Sequence, residues 1–406
     1  MNFLNKTRQL VNTPISGEQV YLFAFSYYFI LSFLQTTTYI AYISENAIQK
    51  LSMFAIALVV AKIFVYDAKN VKVFFIYLIA SFFLVVVWRT THDVKFFSLS
   101  IFVLGAKNVN FRKVIYLYLM IGLTFLIFAI GSSLLGIIKN LVYFRGTTNI
   151  TRQSLGIIYP TDFAAHVLFL VLAYLYLRFE KLNFWDYLLV LISAIVLIAV
   201  SDARLSAYAL ILAIPIFYFG NRANHGNFVS TIIASFYWTI PIIAAYTMAF
   251  LTIFYNSSNS IMLKINHLLS DRLKFGSKAY DRYGVSILGQ HVQEHGWGGL
   301  NGQTLADNSL VDKYFFIDSS FMRLLIIYGL LMTLIVVLVM TIISWRSIQT
   351  SSYALASVLV LVTLSAVVEQ HLLELSYNPF LIALLANTTL PLVKVERRKN
   401  LEKLHG

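Results

Sequence analysis

Apolar runs of membrane-spanning length, separated by short polar breaks, fill most of the chain. A helix crossing a bilayer needs about 20 mostly apolar residues. By that measure the runs predict spans at 19–43, 46–66, 72–89, 92–107, 114–138, 157–178, 184–200, 204–220, 228–255, 318–344, 351–369 and 376–393. The predicted fold is an all-α polytopic integral membrane protein of about 12 transmembrane helices with one long extracytoplasmic loop. The run 92–107 is short and opens on His92, Asp93 and Lys95. Read as a re-entrant segment, it reverses the side of everything after it.

The division is then 1–18 as a cytoplasmic N-terminus, 19–255 as a nine-helix region, 256–317 as the loop, 318–393 as three more helices, and 394–406 as a basic tail. Met1–Gly17 shows no small-residue cleavage site after a short apolar run, so it reads as a lead-in and not a signal peptide.

Composition supports the membrane reading. Of 406 residues, 59% are hydrophobic and 12% charged, against roughly a quarter charged in soluble domains. The net charge of +13 would suggest nucleic acid in a soluble protein. Here loops that collect Lys and Arg to orient helices account for it, and no nucleic-acid partner is expected. The chain has no cysteine, which excludes disulfides, thiolate catalysis and cysteine metal sites.

The positive-inside rule sets the orientation. With the N-terminus inside, inner loops hold Lys6 and Arg8, Lys69 and Lys72, Lys107, Arg112 and Lys113, Arg178 and Lys181, Arg222 and Arg346. The short outer loops hold Lys50, Arg89 and Lys95. Both termini are therefore expected on the cytoplasmic side. Outside lie 139–156, the turn Ser201–Arg204 and the long loop. The loop opens on Asn256-Ser-Ser-Asn-Ser260, a turn signal with an N-cap. Ile261, Ile265, Leu268, Leu269 and Leu273 follow at helical spacing, with Lys264, His267, Asp271 and Lys274 opposite. This predicts one amphipathic helix on the membrane surface. Gly296, Gly298, Gly299 and Gly302 mark a flexible stretch beyond it.

Candidate chemistry lies in polar groups on that outer side. Arg204 stands in Ser201-Asp-Ala-Arg204 with almost no loop around it, where a charge is costly and usually functional. Snorkelling, or a pair with Asp202, is the structural alternative. In the loop, Arg272 and Arg282 suit phosphate because guanidinium binds it bidentately and stays charged. His291 and His295 stand four apart beside Glu294, but the glycines that follow argue against zinc, and no metal is expected. Asp318 opens a span as either an N-cap or a general base, with Arg323 one turn deeper, in reach of it or of a phosphate. Asp162 with His166, and Glu369, His371 and Glu374, cluster at outer helix ends, each more often structural than catalytic.

These segments resemble the superfamily of O-antigen and capsular polysaccharide polymerases (Wzy type) and O-antigen ligases, on the polymerase branch. The matching residues are Ser201-Asp-Ala-Arg204, Ser270-Asp-Arg272-Leu and Tyr283-Gly-Val-Ser-Ile-Leu-Gly-Gln290. In addition, Asp318-Ser319 is followed by nine residues and then Gly329. The ligases carry histidine where this chain has Asp318, which argues against a ligase.

The resemblance implies a cofactor-free glycosyltransferase of the bacterial cytoplasmic membrane with its active site facing outward. It would move a growing glycan from undecaprenyl pyrophosphate to a sugar hydroxyl of an incoming lipid-linked unit. Arg204, Arg272, Arg282 and Arg323 would hold the pyrophosphate. Asp318 or His291 would take the proton, and Tyr280, Tyr283, Trp297 and Tyr314 would stack on sugar. Implied partners are the lipid-linked donor and acceptor, membrane lipid, a flippase and a chain-length regulator. The competing readings are a lipid-linked oligosaccharide flippase, an O-antigen-type ligase and a peptidoglycan glycosyltransferase. No internal repeat of the transporter kind is visible.

Overall fold

The computed structural model describes residues 15–144, 150–307 and 314–389. The N-terminal lead-in to residue 14, the basic tail and Asp312 lie outside the described residues. The protein is an all-α membrane protein. Eight of its described helices are long and apolar enough to cross a membrane by length and composition.

Several helices start where an Asn, Asp or Ser side chain takes the first free N–H groups. Ser16 and Gln19 form a capping box ahead of α1 (Gly17–Gln35). Asn70, Asp93 and Asn110 cap α3 (Val71–Thr91), α4 (Val94–Leu104) and α5 (Phe111–Leu134). Between them, α2 (Glu45–Lys62) ends in a π turn, Ile63–Asp67. There the buried Lys62 ammonium bonds Asp67 at 2.6 Å and the carbonyls of Gly105 and Lys107. A short hairpin, β1 (Val142–Phe144) with β2 (Thr151–Gln153), precedes α6 (Pro160–Arg178). Next come α7 (Phe184–Ser201), α8 (Arg204–Asn224), α9 (Phe228–Ser235) and α10 (Ile240–Ile253).

Burial sorts these helices. Nearly all of α6 is buried, as is α16 (Ala354–Val368). α3, by contrast, presents Phe74, Phe75, Ile76, Ile79 and Phe82 outward. An exposed apolar face of that size is the one lipid covers.

Three expectations are corrected. The predicted amphipathic helix 261–274 is two helices, α11 (Ser260–Leu268) and α12 (Arg272–Tyr283). Ser270 and Asp271 take left-handed backbone between them, and buried Asn266 bonds Asp271 and the Lys274 N–H across the break. The glycine-rich stretch, expected as a flexible connection, also holds a helix, α13, spanning Gly299–Asp307. Lastly, the described part of 376–393, residues 376–389, contains no regular span. After a 3-10 turn, His371–Leu373, the described chain runs irregularly with one further 3-10 turn, Phe380–Leu384. Leu375–Ala383 is buried throughout. Non-helical backbone at membrane depth survives only inside protein, where its polar groups find partners. Here Tyr118 donates to the Tyr377 carbonyl at 2.6 Å, and Asn387 exchanges backbone bonds with Val109 and Phe111. The remaining long helix, Ser320–Gln349, is jointed. α14 (Ser320–Arg323) passes through a π turn, Leu324–Tyr328, into α15 (Gly329–Gln349).

Candidate active site

The end of the bundle where α3 meets α4, α6 begins and α16 ends is termed the upper end. The described parts of the 256–317 segment, 256–307 and 314–317, lie over it. Thr90 bonds the Leu288 carbonyl, the Gly299 N–H bonds Ile158, and Tyr143 bonds the Trp297 carbonyl. The segments 283–290 and 318–329 meet here. The Gln290 N–H bonds the Ile327 carbonyl at 2.8 Å, and the Leu330 N–H bonds Ser286 at 2.9 Å. Gly289 and Gly329 are both at positive φ and back to back. A Cβ on Gly329 would lie 2.5 Å from the Gly289 nitrogen.

Beneath this lid is a cavity of about 760 Å³. Six carboxylates line it: Asp93, Asp162, Glu294, Asp318, Glu369 and Glu374. Most have a partner. Lys95 meets Glu374 at 2.8 Å, Arg323 meets Glu294 at 2.8 Å, and His371 stands 3.3 Å from Asp162. The Tyr328 hydroxyl donates to Asp93. Asp318 does not cap the helix that it precedes. Ser319 is the cap residue, and Asp318 faces the Arg272 guanidinium at 3.8 Å. Arg272 is pinned by the carbonyls of Val368 and Ser270. Ser320 holds the Glu369 carbonyl through its N–H and its hydroxyl. Asp318, Arg272 and Glu369 are thus built by three chain segments that lock one another.

Electrostatics distinguish these groups. Burial pushes the Glu369 carboxyl up to about 7, with Arg272 and His371 opposing it. Burial would do the same to Glu374, but Lys95 overrides it and holds that carboxyl below its ordinary value. Burial works against the charged form of His371, yet Asp162 more than compensates and its pKa is raised. Below, the Tyr377 ring lies between the rings of His371 and His166, at 3.9 and 4.3 Å. His166 reaches Thr36 at 2.7 Å.

The sequence candidates divide accordingly. Asp318, His291, Arg323, Trp297 and Tyr314 line the cavity, and Arg272 touches it through Asp318. His291 packs against His92, and the Trp297 and Tyr314 ring centroids are 4.6 Å apart. Four other candidates stand outside the lining. Arg204 is half exposed and pairs with Asp202 at 2.8 Å, the structural alternative for that residue. The link from its turn to the cavity is Arg152, which bonds the Ser201 carbonyl and lies over the lining residue Tyr159. Arg282 is exposed and rests on the rings of Tyr283 and Phe315, so neither Arg282 nor Tyr283 reaches the lining. Tyr280, half buried in α12, does not reach it either.

Sequence reasoning placed Asp162, Glu369 and Glu374 at outer helix ends as more often structural than catalytic, and gave Asp93 and Lys95 no role in a site. Their shared signal was a place at one side's helix ends, and only packing shows that these ends converge. Among the described residues no group of three or more His, Asp or Glu is arranged to hold a metal ion. In comparisons with known proteins, no family model, no curated protein and no solved structure matches this chain.

Proposed function

We propose that the protein is a polysaccharide polymerase. It transfers a growing glycan from a polyprenyl pyrophosphate carrier to a sugar hydroxyl of an incoming lipid-linked unit. The observation that carries this reading is the upper cavity, where carboxylates, two fixed guanidiniums and an aromatic pair converge at one end of a lipid-facing bundle. Carboxylates accept hydrogen bonds from sugar hydroxyls, and the Trp297–Tyr314 pair offers an apolar ring face beside them. Arg272 and Arg323 stand where a leaving pyrophosphate gathers charge, and they supply that stabilisation without a metal. Both are engaged by carboxylates at rest, so phosphate oxygens must take them from Asp318 and Glu294. Glu369 lies next to Arg272 and is proton-poised near neutrality, which suits a general base. Asp318 then orients Arg272.

In this reading the chain crosses the bacterial cytoplasmic membrane twelve times with both termini inside and the cavity outside. The irregular segment Tyr377–Asn387 makes the last crossing, since it joins the upper end to the turn before α5. The apolar residues Ile261 and Leu268, which α11 exposes, rest on the outer membrane surface.

The test is surface polysaccharide length in cells lacking the protein and complemented with wild type, Arg272→Gln or Arg204→Ala. Single lipid-linked units outside the membrane, not extended by Arg272→Gln despite normal expression, support polymerisation. Restoration by Arg204→Ala would match its place outside the cavity. A second reading, a lipid-linked oligosaccharide flippase, draws on the broken helix at Leu324–Tyr328 and the unwound crossing, since transporters bind substrate at such breaks. Lipid-linked units accumulating on the cytoplasmic face of the deletion strain would establish that reading instead. Unchanged chain length would rule out both.

A further inference from the structure

A second cavity, of about 430 Å³, opens at the other end of the bundle. It lies between the first turn of α5, the last turns of α6 and α15, and the start of α16. Its lining includes Arg112 and Arg346 together with Ser347, Thr350, Ser352 and Thr388. The two arginines differ from those of the upper cavity. Arg112 gives one N–H to the Leu177 carbonyl and lies over the Tyr176 ring, and Arg346 gives one to the Leu384 carbonyl. Neither meets a carboxylate within ion-pair distance among the described residues. A guanidinium has five N–H donors, so most of the donor capacity of each is left over. The one acid in the lining, Glu180, is exposed.

The start of α16 adds to this field. The helix has no side-chain cap of its own; Tyr353 precedes it in left-handed backbone, and the Ser347 hydroxyl takes the Ala356 N–H. The positive end of its dipole faces the cavity through Ala354 and Leu355. Arg112 and Arg346 stand at the ends of helices long and apolar enough to span a bilayer, and such ends fall in the headgroup region of a spanning helix.

We infer that this lower cavity binds the phosphate of an anionic phospholipid headgroup. Two guanidiniums without counter-ions among the described residues, with Ser and Thr side chains beside them and a helix N-terminus, match a phosphate bearing several acceptor oxygens. The site stands apart from the upper cavity and does not depend on the reaction proposed there.

The full-length protein in phosphatidylcholine nanodiscs, titrated with phosphatidylglycerol, tests it. Retained lipid is counted by native mass spectrometry, and the melting temperature is followed in parallel. Wild type is expected to retain phosphatidylglycerol and to gain melting temperature as it is added. The double variant Arg112→Gln/Arg346→Gln should bind about tenfold more weakly. Ser352→Glu, at an exposed position, should weaken binding similarly without touching a core residue. Arg222→Gln, also basic but outside the lining, should leave it unchanged. Equal retention by all four proteins would overturn the proposal. So would stabilisation by inorganic phosphate that displaces the lipid, because the ligand would then be a soluble phosphate.

Discussion

Glu369 concentrates the residue-scale physics. Its carboxyl is buried, and its pKa is raised from an ordinary 4.5 to about 7. A raised acid binds its proton more tightly folded than unfolded. Its contribution therefore favours the folded state at low pH and is lost as pH rises from about 4.5 to about 7. The stability of Glu369→Gln relative to wild type should rise across that window and level off above it, by at most a few kcal/mol. Thermal melts in nanodiscs at several pH values measure this. If Glu369 is the base, polymerisation rate should climb through about pH 7 in wild type, and Glu369→Gln should remove that limb together with most of the activity. Retained activity with an unchanged profile would move the role of base to Asp318 or His291. Gly329 supplies a second prediction at this scale. Gly329→Ala puts a methyl at positive φ against the Gly289 backbone and should cost about 1–3 kcal/mol, read as a lower melting temperature.

At the scale of elements, the informative pieces are those that depart from regular helix. The polar caps of α3, α4 and α5 could be read from Asn70, Asp93 and Asn110 because capping is a local event. The break between α11 and α12 could not, because the hydrophobic spacing runs through Ser270 and Asp271 and only buried Asn266 reveals it. The unwound segment after α16 was equally hidden. Its apolarity matches a span, and irregular backbone is permitted only by neighbours far away in sequence. Tyr118→Phe would leave the buried Tyr377 carbonyl without its partner and should destabilise by about 1–3 kcal/mol. Loss of that magnitude in a thermal melt, without loss of expression, supports the buried crossing. A neutral outcome would mean that water reaches the carbonyl.

For the whole molecule, the open quantity is orientation. Positive charge gathers at the lower end, which predicts that this end faces the cytoplasm. The absence of cysteine makes the test direct. A membrane-impermeant maleimide applied to intact cells should label Lys278→Cys in α12, at the upper end, and spare Lys69→Cys between α2 and α3. The reverse pattern inverts the protein and places the carboxylate cavity inside.

The sequence by itself determined that this is an all-helical membrane protein, where most helices begin, and which end is basic. Those properties follow from composition, local capping and the length of apolar runs, all readable within a few turns of chain. Tertiary structure alone decided which candidates share a cavity. Arg204 and Arg282 look equal to Arg272 and Arg323 along the chain, yet the first two end beside a neighbouring carboxylate or on aromatic rings, and the last two face carboxylates of the cavity. Asp318 could be read as a cap until Ser319 was found in that place and Arg272, from 46 positions earlier, was found opposite it. The potential of a carboxylate cavity depends on charges that packing brings within a few ångströms, and no spacing rule connects residues so far apart in sequence.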